Sequence, residues 1–387
     1  MGGNALKKVI ASRINLIQYN KIKTQLIEKF TGYLDIEFVI DVPNKQDFGD
    51  IDVLYTLDNS LEQTENLNII NLIKLLFNPV EIVHNGPVVS FAYELDGSNI
   101  TDKSVETVQS NNIANTSTYF QPTYFQPIYF QVDLILCQNI HMSRFYFSYG
   151  DLGGIIGRLC QHIGLKYGSN GLWLNPNEET IMNYLEKYDT KHKISVETEL
   201  ITKAYYSDIV LLTDPKEICE FLTLGWDEWE KGFDDVDNIY NWVTQSKWFK
   251  KDSFRALNCE HRRRSDKRPM YQNFLKYIFS NEPEFIIEKC DSDKYIFLNL
   301  QLDTIEKFNK TNELENMILN QNKRIERKNK FSGKIFIDLG INGKDINQMV
   351  MAFKTYIEKT TQMEFENWLD LNDLEHIKSL ATQFIDK

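Results

Sequence analysis

Two aspartates in Phe48-Gly49-Asp50-Ile51-Asp52-Val53-Leu54 have the type and spacing to do chemistry. In an extended strand residues i and i+2 point to the same face, so Asp50 and Asp52 present two carboxylates side by side while Ile51 and Val53 pack the other way. Two like charges this close are costly unless a cation neutralises them. Hard oxygen donors suit Mg²⁺ or Mn²⁺, which take one or two carboxylates and complete their shell with water and substrate phosphates. A third acid, Asp133, stands in a second apolar run, Val132-Asp133-Leu134-Ile135-Leu136-Cys137. If the two strands are neighbours, three carboxylates meet at one edge, which is the ligand set that two-metal phosphoryl transfer needs.

Such acids need a sheet to hold them, and the flanking sequence predicts one. Ile14, Ile17, Ile22, Leu26 and Phe30 recur at near-helical spacing, which predicts an amphipathic helix over about residues 13–30. Residues 36–40 alternate as a strand, and Pro43-Asn44-Lys45 signals the turn before the Asp50 strand. A second helix is expected near 62–77, ahead of Asn78-Pro79. Strands follow at 81–83 and 88–93, divided by the turn Asn85-Gly86-Pro87.

Residues 96–128 change character. They are rich in Ser, Asn, Thr and Gln and lead into a pentad repeat: Tyr119-Phe120-Gln121-Pro122-Thr123, Tyr124-Phe125-Gln126-Pro127-Ile128, Tyr129-Phe130-Gln131-Val132-Asp133. Three short copies cannot make a solenoid. The stretch reads as a low-complexity hairpin insertion whose last copy continues into the Asp133 strand; a stacking platform for bases is the sharper alternative. Beyond it, seven glycines punctuate residues 150–171, with a helix expected over Leu152–His162. From about residue 175 the pattern is mainly helical, with a tryptophan-rich stretch, a polar helix near 303–328, and a turn at Gly340-Ile341-Asn342-Gly343 opening a last helical segment. The expected division is 1–175 as a catalytic domain, 176–290 as a helical basic domain and 291–387 as a C-terminal domain.

The 387 residues carry 43 basic and 55 acidic side chains, a net charge of −12, with 42% hydrophobic and 13% aromatic content. That composition excludes a wholly disordered chain. No apolar run approaches the 18 or so residues of a membrane span. The start, Met1-Gly2-Gly3-Asn4-Ala5-Leu6-Lys7-Lys8, lacks the apolar core of a signal peptide, and Leu6 stands where myristoylation wants Ser or Thr. Five scattered cysteines with no C-x-x-C pair argue against disulfides or zinc, and for an intracellular, reducing compartment.

An acidic chain binds nucleic acid only through local clusters. Residues 247–276 form one: ten basic side chains, among them Arg262, Arg263, Arg264, Lys267 and Arg268, stand against three acidic ones with aromatics interleaved. That is a footprint for an RNA backbone. A smaller basic patch lies at Lys323, Arg324, Arg327, Lys328 and Lys330. In Asp151-Leu152-Gly153-Gly154-Ile155-Ile156-Gly157-Arg158, Gly153 and Gly154 at a helix start could let phosphate approach backbone N–H groups, and close helix packing would equally demand small residues. Arg158 and Lys166 could serve phosphates, and Tyr167 could stack on a base, though an ordinary core tyrosine is the first reading of it. Lys45, in the loop before the acids, is a candidate phosphate contact.

The stretch Gly49-Asp50-Ile51-Asp52-Val53-Leu54 resembles the Gly-Asp-hydrophobic-Asp strand of the nucleotidyltransferase superfamily typified by DNA polymerase β, poly(A) polymerases and CCA-adding enzymes. Three blocks are together similar to a set of phage and large DNA virus nucleotidyltransferases: Gly2 to Lys7, Lys45 to Asp52, and Asp151 to Gly168. The resemblance covers roughly residues 1–175. It implies an α+β fold, a nucleotidyltransferase-type mixed sheet flanked by helices and followed by a mainly helical C-terminal region. It also implies that Asp50 and Asp52 hold two Mg²⁺ (or Mn²⁺) ions and that Asp133 binds the catalytic ion and helps deprotonate the attacking hydroxyl. One departure stands out: Ile40-Asp41-Val42-Pro43 occupies the place of the superfamily's Gly-Ser or Gly-Gly. The grip on the triphosphate then falls to Lys45, Gly49 and the distal glycine block. The activity implied is template-independent transfer of a nucleotide from NTP, with ATP expected, to an RNA 3′-hydroxyl. The alternatives are a tRNA end, small-molecule or protein acceptor, or a non-catalytic scaffold.

Overall fold

The computed structural model describes residues 4–57, 68–95, 127–192, 207–254, 267–280 and 293–386. Its contacts divide the chain into two units: Met1–Trp173 with Leu212–Asp291, and Leu174–Leu211 with Ser292–Lys387.

The first unit opens with β1 (Ile14–Asn15) and α1 (Leu16–Phe30). Asn15 caps α1, accepting from the Gln18 N–H while the Gln18 side chain accepts from the Asn15 N–H; this reciprocal pair satisfies two of the free donors at a helix start. Tyr19, Ile22, Leu26 and Phe30 then bury one face. β2 (Ile36–Phe38), β3 (Asp47–Phe48) and β4 (Asp50–Tyr55) follow, then α2 (Ile69–Phe77), β5 (Ile82–Asn85), β6 (Val88–Leu95) and β7 (Ile128–Leu136). The five-stranded sheet has the order β2-β4-β7-β6-β5. It is mixed: β4 and β7 run parallel, and every other neighbouring pair is antiparallel.

Alternation assigns each strand residue a face. Ile51, Val53, Val132 and Leu134 join the core under α1 and α2, with Leu26, Phe30 and Phe91. Leu54, Ile135 and Cys137 point the other way, into a smaller cluster with Val39, Ile140 and Phe147. The last two belong to α3 (Ile140–Phe147), or bound it. Asp50, Asp52 and Asp133 share the parity of Leu54 and Ile135, so they stand on this second face. Of the pentad repeat, only the last copy lies within the described residues, and it is part of β7. The first copy and residues 124–126 of the second, with the rest of the polar stretch, lie outside them.

α4 (Leu152–His162) occupies the range expected from the glycine-punctuated stretch, and β8 (Leu165–Gly168) and β9 (Gly171–Leu174) form a hairpin after it. The helices between Pro215 and Ile278 do not make a separate domain, as the sequence suggested, but belong to the first unit. Rings explain this. Trp229 packs on Phe145 at 5.1 Å and on Tyr149 at 5.9 Å, and the Tyr149 hydroxyl donates to the Trp229 carbonyl. Buried aromatics carry much of a core's energy, so they fix the partner surface.

The second unit is largely helical. Phe336, Phe353, Phe365, Trp368, Leu369 and Ile377 form its core, contributed by helices from Lys334 to Ile385. The polar helix expected near 303–328 is two helices, Asp293–Lys307 and Thr311–Lys330. Asn309, in the left-handed region at φ 55°, breaks them. No helix among the described residues is long and apolar enough to cross a membrane. Cys137, Cys160 and Cys219 are free and buried.

Candidate metal centre

The parallel register of β4 and β7 sets Asp52 opposite Asp133 and Asp50 opposite Gln131. Asp50, Asp52 and Asp133 each offer an oxygen, and the three oxygens lie within 4.8 Å of one another. All three residues are half-buried.

Packing the acids together changes the ionisation of Asp52 and Asp133. Burial, then the neighbouring Asp50 and Asp133 charges, push Asp52 up to about 7, against a smaller opposing pull from Lys45. Asp133 is also raised, first by burial and further by Asp50, while hydrogen bonds from Ser90 and Gln131 work against the rise. Gln131 Nε2 lies 2.9 Å from both carboxylate oxygens of Asp133. Hydrogen bonds to the ionised form favour it, so these donors keep Asp133 closer to ready as a ligand. Asp52 and Asp133, which resist ionising, stand with Asp50 in a donor set that a hard divalent cation would relieve. Their chemistry fits Mg²⁺ or Mn²⁺.

The chain start is tied to the same place. The Ala5 N–H donates to Gln131 Oε1 at 2.9 Å. Lys7, Lys8 and Val9 donate their backbone N–H groups to the buried carboxylate of Glu81, at 2.8, 2.7 and 3.2 Å. Burial alone would raise the Glu81 carboxyl, but the three donors hold it below the usual range. Gln131, Ser90 and Glu81 escaped sequence reasoning. Gln131 was the most legible of them, since it stands two residues before Asp133 and so shares its face.

The other residues singled out in the sequence fall in several places. Gly49 is buried in the one-residue break between β3 and β4. Lys45 Nζ lies 2.7 Å from Asp41 and 4.7 Å from the centre of the Phe48 ring. Gly153 is required by packing: a Cβ there would fall 2.2 Å from the Tyr146 carbonyl oxygen of α3. A Cβ on Gly154 would fall 2.5 Å from Arg268 Nη1, so the glycine makes room for that guanidinium. Arg158 donates to the Ser253 carbonyl and to Gln161, both at 2.6 Å. Lys166 is exposed on β8.

Tyr167 is a packing residue rather than an open stacking platform. Its hydroxyl is sealed from solvent, and its ring meets Phe145 edge-on and Tyr146 at a tilt. Lys267 and Arg268 are exposed at the start of helix Pro269–Ile278. Arg262, Arg263 and Arg264 lie outside the described residues. The smaller basic patch is partly committed already: Arg327 grips Asp370 and Glu366, and Lys330 donates to the Leu369 carbonyl.

No model of a protein family matches the sequence, and a search of curated proteins finds no significant match.

Proposed function

We propose that this chain is a metal-dependent nucleotidyltransferase that moves a nucleotide from NTP, ATP foremost, to an RNA 3′-hydroxyl without a template. The observation that carries the reading is the carboxylate trio: Asp52 faces Asp133 across adjacent parallel strands, with Asp50 on the same face. Asp50 and Asp52 would hold both ions and Asp133 one of them. Bound Mg²⁺ or Mn²⁺ supplies the positive charge that phosphoryl transfer needs at the reacting oxygens.

The protein's own groups do the rest. Asp133, kept towards its ionised form by Gln131 and Ser90, accepts the proton of the attacking hydroxyl. The 3′-oxygen then bonds to the α-phosphorus, the bond from that phosphorus to the bridging oxygen breaks, and pyrophosphate leaves. The β4–β7 register holds the acids in place before substrate arrives, so little rearrangement accompanies reaction. An RNA acceptor is favoured over a small molecule by the basic, aromatic-rich composition of residues 247–276, of which Lys267 and Arg268 are exposed.

The test is extension of a labelled RNA oligonucleotide with Mg²⁺ or Mn²⁺ and each NTP singly. A long ladder with ATP is expected. A stop after one to three additions would point to tRNA-end repair, and no extension with any NTP would overturn RNA as the acceptor.

A further inference from the structure

Glu81 and Gln131 stand in one row across the sheet. Gln131 lies opposite Asp50 on β4 and opposite Ala92 on β6. The Ala92 N–H donates to the Glu81 carbonyl at 3.0 Å, which carries the row on to Glu81, just before β5. Directly opposite residues share a face, so Glu81 and Gln131 stand with Asp50 on the face of the acids. Both are buried, at 6% and 2% exposure. Between them the row holds only the Ala92 methyl group.

The backbone of residues 5–9 bridges that gap. Lys7, Lys8 and Val9 donate their N–H groups to the Glu81 carboxylate, and Ala5 donates to Gln131 Oε1. Further along, the Ser12 N–H donates to the Tyr129 carbonyl at 2.7 Å, two residues before Gln131 on β7. The segment is thus fastened on both sides of its contact with Gln131.

An amide side chain can turn either end towards a carboxylate, and the two ends act oppositely: the nitrogen donates and the oxygen repels. Ala5 makes the choice here. A backbone N–H only donates, so Gln131 must give it Oε1, which leaves Nε2 facing Asp133. Nε2 lies 2.9 Å from each of the two Asp133 oxygens. A donor equidistant from both takes up the place between them, where an ion chelated by both oxygens would sit. Asp133 is therefore open to an ion through one oxygen at a time. Ca²⁺, large and tolerant of irregular shells, gains from carboxylates that bind through both oxygens. Mg²⁺ demands a compact octahedral shell, and Mn²⁺ shares its preference for octahedral oxygen.

We propose that Glu81 and the backbone of residues 5–9 lock the Gln131 amide against Asp133, and that this lock makes the centre select Mg²⁺ and Mn²⁺ over Ca²⁺. Glu81 and Gln131 act through Asp133, so they are positioning residues. Glu81 is then more than an anchor for stability. Its carboxylate sets where residues 5–9 cross the sheet, and so whether the Ala5 N–H reaches Gln131. The inference rests on the reading of the three acids as a divalent-metal centre.

The experiment is Mn²⁺ titration of the full chain followed by electron paramagnetic resonance, with Ca²⁺ as competitor, which gives both affinities without turnover. The wild type should prefer Mn²⁺. Gln131→Met, which keeps the length of the side chain and none of its hydrogen bonds, should lower that preference roughly tenfold, the scale of a group that orients a metal ligand. Glu81→Gln, which offers one acceptor oxygen in place of two, should shift it in the same direction. So should Ala5→Pro, which deletes the N–H that holds Oε1 and leaves Glu81 in place. Combined with Gln131→Met, neither change should lower the preference further, because both act through Gln131. General loosening of the fold would weaken both ions alike, so an unchanged preference in Gln131→Met would overturn the proposal. An unchanged preference in Ala5→Pro, or a full further loss on combining it with Gln131→Met, would overturn the lock, and this holds even if Glu81→Gln fails to fold. Failure of the parent reading looks different: the wild type would bind neither ion saturably, and the inference would fall with it.

Discussion

Carboxylates gather in both units of this chain, and they are treated differently in each. In the second unit Glu366 and Asp370 receive the guanidinium of Arg327 at 2.6–2.7 Å, and the Arg327 hydrogen bonds hold Asp370 below the usual carboxylate range. On the second face of the sheet in the first unit, three carboxylates converge within 4.8 Å, and neither Asp52 nor Asp133 makes an ion pair with a described residue. Asp52 there rises to about 7, chiefly through burial. A cluster that carries its own counter-charge is complete as it stands. A half-buried cluster in which burial and like charge oppose ionisation raises the free energy of the fold, and such perturbed groups mark places where a ligand can bind. Glu81 is a third case, a buried carboxylate satisfied wholly by backbone donors.

Substitutions should separate these cases, beginning with the largest effect. Asp52→Asn should lower nucleotide transfer on the order of 10⁴-fold, the scale of losing a residue that acts with its neighbours as a unit. The same change should raise the melting temperature in EDTA, because it removes a repelling charge; a lower one would show that the trio is structural. Glu81→Ala should cost about 3 kcal/mol in urea unfolding, since it leaves three backbone N–H groups without their acceptor. Gln131→Leu should weaken Mn²⁺ binding roughly 10–100-fold, as loss of a group orienting a metal ligand does, and unchanged affinity would remove Gln131 from the centre. Arg327→Ala should cost about 1 kcal/mol, the range of a partly exposed ion pair, and leave transfer intact.

The two clusters should also respond to pH with opposite signs. Asp52 has a folded pKa near 7, above its ordinary 3.8. Its contribution to stability is therefore present in full below about pH 4 and is lost as pH rises through 7. Asp370 is depressed, so its contribution is present above its ordinary pKa and is lost as pH falls through the lower folded value. Metal-free protein should melt lower at pH 8 than at pH 5.5, and Asp52→Asn should flatten that difference. Added Mn²⁺, which needs ionised ligands, should stabilise more at pH 8 than at pH 6.

Strand periodicity made the acids of β4 and β7 legible in the sequence. Asp50 and Asp52 had to share a face, and the apolar run around Asp133 marked its strand. That the two strands are neighbours was an expectation only, and the parallel register supplies it. Glu81 and Gln131 were hidden because their backbone partners lie 72 to 126 residues away. The place of residues 212–291 in the first unit was hidden for a similar reason, since it depends on which rings Trp229 meets. Gly153 and Gly154 illustrate another limit. Phosphate approach and helix packing both demand a missing Cβ, and only the Tyr146 carbonyl shows that packing makes the demand at Gly153, whereas Gly154 faces the movable end of Arg268.

The central claim is that Asp50, Asp52 and Asp133 form a divalent-metal centre, and Mn²⁺ titration followed by electron paramagnetic resonance at pH 8 tests it most directly. Wild type and Arg327→Ala should bind Mn²⁺ saturably and alike, while Asp50→Asn/Asp52→Asn loses that binding without loss of fold. Equal Mn²⁺ binding by the double variant and the wild type would contradict the account.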